Sequence, residues 1–173
     1  MNMRYHLKGM KLRPGDVFAI PIDDEKKGFG QIVVVPNKSN FMIVVFEKPY
    51  SRNHRPALEE IVNDKILFLG YTMDALLYHK EWQLIGNITS NLKAIKLPYY
   101  KLGTPPDCKL VNHEGKSFGK ISRDIFDKLN YQKVVAPIRY ENALKAFHHI
   151  GEWRQDYDEL RYEVTLESIS LVG

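Results

Sequence analysis

Apolar and polar positions fall into blocks along the first third of the chain. Residues 15–22 (GDVFAIPI), 28–36 (GFGQIVVVP) and 41–49 (FMIVVFEKP) are apolar, β-branched runs of strand length. Between them lie Asp23-Asp24-Glu25-Lys26-Lys27-Gly28 and Pro36-Asn37-Lys38-Ser39-Asn40, which are turns by composition. The pattern predicts a three-strand antiparallel meander over Gly15 to Phe46. Stretches such as Ile32 to Val35 are apolar at successive positions, so both faces of the strand are covered. That implies a strongly curved or barrel-like sheet. Pro21 and Pro36 fall near strand ends, where a missing N–H costs little.

Further along, 51–57 is a polar loop and Leu58 to Val62 reads as a short strand or a turn of helix. Lys65 to Tyr71 is a strand, and Asp74 to His79 is ambiguous. In Glu81 to Ile88, Trp82, Leu84 and Gly86 alternate with Gln83, Ile85 and Asn87, which predicts another strand. Leu92 to Leu97 continues the β pattern. The Pro- and Gly-rich stretch 98–107 reads as a connector. Beyond it, Cys108–His113 and Lys116–Ile121 flank Glu114-Gly115 as a hairpin. Ser122 caps a helix over Arg123–Leu129, with Asp124 suited to its N-terminal dipole. A second helix follows Pro137, carried by Ala143, Leu144, Phe147 and Ile150, with Gly151 as its C-terminal stop. Asp158 to Leu171 reads as a strand, because Tyr162, Val164 and Leu166 alternate with Glu163, Thr165 and Glu167.

These elements define an α+β fold: an N-terminal antiparallel sheet, then a portion with two helices and a late strand. The expected organisation is one domain over 1–173, with a β-rich core at 1–97, a connector at 98–107 and an α+β portion at 108–173. Length fits one domain, and an apolar fraction of 44% is enough for a substantial core. No internal repeat is visible.

Charge and cysteine usage narrow the setting. No stretch reaches the ~20 apolar residues of a membrane-spanning helix. Met1 to Met10 carries Arg4 and Lys8 without an apolar segment behind them, so it does not read as a secretory signal. One cysteine, Cys108, rules out a disulfide within the chain and suits a cytoplasmic, reducing setting; it reads as a small buried hydrophobe. The net charge of +4 is mild. Residues 139–173 are acidic, with four Lys/Arg against seven Asp/Glu.

Tests for chemistry return no catalytic, cofactor-binding or metal-ligating residues. No two of the six histidines are spaced to share one helix face; His148 and His149 diverge by about 100°. His148 reads as exposed and His149 as bordering the buried face. No G-x-S-x-G elbow is present. Gly28-Phe29-Gly30 has no helix behind it, so it does not cradle phosphate. Gly28 instead reads as a left-handed turn residue, Gly30 as a bulge, and Phe29 as a core plug. Tyr71, Tyr78, Trp82, Tyr99 and Tyr100, near Lys80, Lys93, Lys96 and Lys101, could stack bases. Packing is the commoner use of aromatics in strands, so nucleic acid receives little support.

RPGDVFAIPIDDEKKGFGQIVVV (13–35), followed by ILFLGYTMDALLYHKEWQLIGN (66–87), resembles the immunity protein 26 family of bacterial polymorphic toxin systems. The features are the Gly15-Asp16 opening, the charged turn, the glycine-flanked Phe29 and the Trp82…Ile85-Gly86 segment. The resemblance covers about the first hundred residues. It implies a cytoplasmic antitoxin that binds a cognate toxin and blocks it, with no cofactor and no enzymatic activity. Contacts would then come from aromatic and charged surface groups, with Asp23, Asp24 and Glu25 of the first turn and Asp158, Glu159 and Glu163 of the tail as candidates against a basic toxin. Some family members are labelled phosphotriesterase-like. This chain is too short for the barrel of those hydrolases and lacks their paired histidines. The competing readings are a nucleic-acid-binding barrel and, further behind, a hydrolase assembled from His54, His79, His113 and His149.

Overall fold

The computed structural model describes residues 11–172. Met1–Met10, where a secretory signal was discounted, lies outside the described residues, as does His6. The meander forms as the pattern predicts. β1 (Asp16–Pro21), β2 (Lys26–Val34) and β3 (Phe41–Phe46) pair antiparallel in sequence. β4 (Tyr50–Ser51) adds to β2, and α1 (Leu58–Val62) resolves the ambiguous stretch as helix. β5 (Ile66–Thr72) joins β3, α2 (Ala75–Tyr78) follows, and β6 (Gln83–Asn87) pairs with β1. The strand order is β5-β3-β2-β1-β6, and the sheet does not close into a barrel.

Successive apolar residues bury both faces of this sheet. On one face Phe18, Ile20, Ile22, Ile32 and Ile43 pack under a helical layer through Trp82, Tyr140, Leu144 and Leu160. On the other, Val17, Phe29, Met42, Val44 and Leu69 pack against Ile61, Ile95, Tyr100 and Val111. Each fully buried side chain of this size is worth about 1.5–3 kcal/mol, against about 0–1 kcal/mol for an exposed ion pair. The two cores therefore hold the sheet. Exposed pairs such as Lys48–Glu60 decorate it.

Gly28 and Gly30 serve close approach, a role different from the turn and bulge expected of them. Both lie inside β2, and neither has a positive φ. A Cβ on Gly28 would fall 2.8 Å from Leu144 Cδ2, and one on Gly30 would fall 2.5 Å from Phe18 Cζ. Phe29 is buried as expected, edge-on to Tyr50 with ring centroids 5.3 Å apart. The first turn is closed instead by Asp23, whose Oδ1 accepts from the Glu25 and Lys26 amides at 2.8 and 2.7 Å.

The second half corrects four expectations. Leu92–Ala94 is a 3₁₀ turn where a strand was expected, while the supposed connector contains β7 (Tyr99–Leu102). β7, β8 (Lys109–Asn112) and β9 (Ser117–Lys120) form a second antiparallel sheet that includes the predicted hairpin. α3 (Arg123–Lys128) is capped by Ser122, whose Oγ accepts from the Ile125 amide at 3.3 Å. α4 (Pro137–Phe147) begins on Pro137 and ends before Gly151. Its left-handed residue is His149, at φ 68°, and the Ile150 amide closes back onto the Lys145 carbonyl at 2.8 Å. The late strand is a helix, α5 (Tyr162–Val172), preceded by a 3₁₀ segment over Gln155–Leu160. Its buried contacts are Thr165 and Ser168, three apart on one face, and Ser168 Oγ both donates to the Thr165 carbonyl and accepts from the Tyr99 amide.

Candidate functional site

Two features of the main sheet stay open to solvent, and they adjoin. The first is the β6 edge. β6 reads Gln-Leu-Ile-Gly-Asn, pairs with β1 on one side, and has no strand on the other among the described residues. Leu84 and Ile85 are 40% and 44% exposed. The strand is held at both ends. Trp82 stacks on Phe18 at 5.1 Å and donates from Nε1 to Glu141 Oε1 at 3.0 Å, while Lys145 Nζ donates to Glu141 Oε2 at 3.0 Å. At the other end Asn87 Nδ2 donates to Asp16 Oδ1 at 2.9 Å and to the Pro14 carbonyl.

The second feature is a groove of about 650 Å³ on the face of β6, β1 and β2 opposite the helical layer. Its floor is made of alternate strand residues, Ala19 and Pro21, Lys27 and Phe29, Gln83 and Ile85, brought side by side by the register Ala19↔Phe29, Pro21↔Lys27 and Ala19↔Gln83. Its wall is Arg52 and the Arg55–Leu58 loop, which crosses above β6: a Cβ on Gly86 would fall 2.9 Å from Leu58 Cδ1.

The groove is lined by three cations, Lys27, Arg52 and Arg55, against one carboxylate, Glu81. Lys27 Nζ donates to the Arg52 carbonyl at 3.0 Å and lies 5.6 Å over the Phe29 ring. Arg52 Nη1 donates to the Asp23 carbonyl at 2.7 Å. None of Lys27, Arg52 and Arg55 has a carboxylate partner within 4.0 Å among the described residues. Burial, then the guanidiniums of Arg55 and Arg52, hold the Lys27 ammonium below the usual lysine range.

The carboxylates singled out from sequence stand differently. Asp24 and Glu25 are exposed at the turn beside Arg52, while Asp23 spends one oxygen on the turn itself. In the tail, Asp158 accepts from Trp153 Nε1 at 2.8 Å and faces Arg161 at 4.0 Å, Glu159 faces Lys133 at 3.4 Å, and Glu163 is exposed. Asp156 lies between Arg139 and Arg154. Most of the tail's negative charge is thus answered within the chain.

The remaining candidates fall as follows. Tyr71, Trp82 and Tyr100 are buried, which removes them from any base-stacking platform. Burial pushes the Tyr71 phenol up to about 12, and its hydroxyl donates to the His113 carbonyl at 2.8 Å. The two adjacent histidines reverse their expected places. His148 is half-buried, donates from Nε2 to the Glu47 carbonyl at 2.9 Å, and is held below the usual histidine range by burial; His149 is exposed. His54 stacks on Tyr50, His79 meets Tyr78 edge-on, and His113 lies 3.4 Å from Glu114. No three of the described His, Cys, Asp and Glu residues come together to hold a metal ion. Cys108 is buried, its Sγ 3.5 Å from the Ile121 carbonyl. No helix among the described residues is long and apolar enough to cross a membrane.

Sequence reasoning missed the groove because its cations come from separate segments and form no basic run. The one local cue was Lys27 at even spacing from Phe29, on the face that Ala19 and Pro21 share.

The structure thus defines an α+β protein with an open antiparallel sheet, α4 packed over one face, and a charged groove on the other, where α1 also packs. The chain belongs to the immunity protein 26 family, whose model matches residues 13–109, more than half of its length. The match takes in β1 to β7 and every residue that lines the groove. Membership places the chain among the immunity proteins of toxin systems and points to a non-enzymatic role. No curated protein and no solved structure matches the chain.

Proposed function

We propose that this protein neutralises a cognate toxin domain in the cytoplasm by binding it and covering its working surface. The observation that carries the reading is the family match over 13–109. The matched segment holds the bare β6 edge with its exposed Leu84 and Ile85, a contact surface of mixed apolar and charged character. Neutralisation by occlusion needs no reacting group, and affinity comes from a few anchored contacts at the centre of the interface.

Exposed carboxylates supplement that surface. Asp24 and Glu25, on the turn beside Arg52, and Glu163 on α5 are exposed to meet basic groups of the toxin. Asp23, Asp158 and Glu159 already carry partners within the chain and contribute less. The test is co-expression with the product of a neighbouring toxin gene. The expected result is restored growth and a complex that co-purifies; continued killing with no complex overturns the reading.

A further inference from the structure

We propose that the toxin contributes an extended acidic segment, which adds to the sheet as a strand against β6 and turns its carboxylates into the groove of Lys27, Arg52 and Arg55. This rests on the reading that the chain binds a toxin, and it names the chemistry of the piece that is bound.

The edge itself is the first argument. A bare strand presents a row of unpaired N–H and C=O groups, and proteins ordinarily blunt such an edge with charge, proline or a covering segment. Among the described residues no strand pairs beyond β6; its five residues carry no charge and no proline, its two large apolar side chains are exposed, and the Arg55–Leu58 loop crosses its face without pairing to its edge. The opposite edge of the same sheet is covered. Phe68 and Tyr71 of β5 form bridges to Arg161 and Val134. The fold therefore protects one edge and leaves the other in a state that suits strand addition.

The second argument is rigidity. Trp82 and Asn87 pin β6 at both ends, so a docking strand meets a preformed template and little conformational entropy is lost on the receiving side.

The third is charge and its direction. Side chains of a strand point alternately to the two faces. A strand beside β6 presents every second residue on the face of Gln83 and Ile85, beneath the Arg55–Leu58 loop that crosses above β6. Leu58 makes that crossing, while Arg55 stands near Lys27 of β2, so the positive charge lies at the inner end of the groove, where long acidic side chains point. Among the described residues these three cations have no carboxylate partner within 4.0 Å, and the two guanidiniums already disfavour charge on Lys27. Carboxylates from outside supply the missing counter-charge through charge-assisted hydrogen bonds. The apolar floor of Ala19, Pro21 and Phe29 favours a peptide with apolar residues among its acids over a fully hydrophilic polyanion.

The experiment uses the full chain and two labelled probes: an octapeptide of alternating glutamate and valine, and a single-stranded RNA of equal charge. Fluorescence anisotropy gives the affinities. Hydrogen exchange reads the β6 amides, and sedimentation reads the oligomeric state. The expected result is peptide binding that slows exchange across Gln83–Asn87. The triple variant Lys27→Glu/Arg52→Glu/Arg55→Glu weakens it by at least about tenfold, the scale of one charge-assisted contact. Should the triple variant not fold, Arg55→Glu alone, on an exposed side chain, is expected to weaken binding about threefold. Three results overturn the proposal: peptide affinity unchanged by charge reversal, RNA bound more tightly than peptide, or a dimer of this chain that itself buries β6. A toxin that is neutralised equally well by the charge-reversed variant removes the groove and leaves the immunity role standing. Peptide binding without any neutralised toxin removes the toxin as the occupant.

Discussion

At one edge of the main sheet, β5 is bridged by Val134 and Arg161 and lies under Tyr140, whose hydroxyl donates to the Tyr71 carbonyl at 3.0 Å. At the other, β6 has no strand beyond it among the described residues, and Leu84 and Ile85 are exposed. Both strands are short, apolar and antiparallel to their neighbours. The difference is supplied from outside the sheet, by residues that follow the segment matched by the family model. An edge is thus open or closed according to what the rest of the chain lays against it, and the strand's own composition does not decide the matter.

Variants at the two edges sharpen this contrast. The largest effect is expected at Gly70 of β5, where an added Cβ collides with the Tyr140 hydroxyl. Gly70→Ala should destabilise the fold by about 3 kcal/mol, read from the denaturant midpoint. Thr72→Val comes next. Thr72 Oγ1 donates to the Val135 carbonyl at 2.7 Å in a buried setting, and losing it should cost about 2 kcal/mol. On the bare side, Gly86→Ala meets the tip of the half-buried Leu58 side chain, which can swing aside, so the cost should stay below about 1 kcal/mol. Leu84→Lys should leave stability within about 0.5 kcal/mol. Equal losses at Gly70 and Gly86 would erase the distinction between the edges.

Alkaline titration probes the covered edge by another route. Tyr71 is held neutral by burial first and by Glu114 second, so its folded pKa is raised from 10.0 to about 12. A raised pKa contributes stability that is complete below pH 10 and is lost as the pH climbs through about 12. Stability should therefore fall between those values, and Tyr71→Phe should flatten the fall while lowering the plateau, because it also removes the bond to the His113 carbonyl. An unchanged slope in Tyr71→Phe would assign the alkaline loss elsewhere.

The meander was legible because each strand is a local apolar run closed by polar turns. The 3₁₀ turn at Leu92–Ala94 and strand β7 were not, since Pro98 and Pro105-Pro106 suggested a connector and hid a local hairpin with β8. α5 misled for a different reason. Its buried face is made of Thr165 and Ser168, so the helical period was carried by small polar residues while Tyr162, Val164 and Leu166 mimicked a strand. The glycines of β2 were visible, but their purpose depends on Leu144 from α4, more than a hundred residues away. For the same reason the groove was hidden: Lys27, Arg52 and Arg55 acquire meaning when β4 pairs with β2 and the following loop folds over β6.

The bridges to Val134 and Arg161 also set an order of events during synthesis. The main sheet's strands are complete once Asn87 has been made, but the residues that close the β5 edge, Val134 and Arg161, are made well after it. Through that interval a nascent protein offers two sticky borders instead of one. Synthesis of Val134 and Arg161 turns a main sheet with two adhesive borders into one that, among the described residues, keeps only the β6 border open.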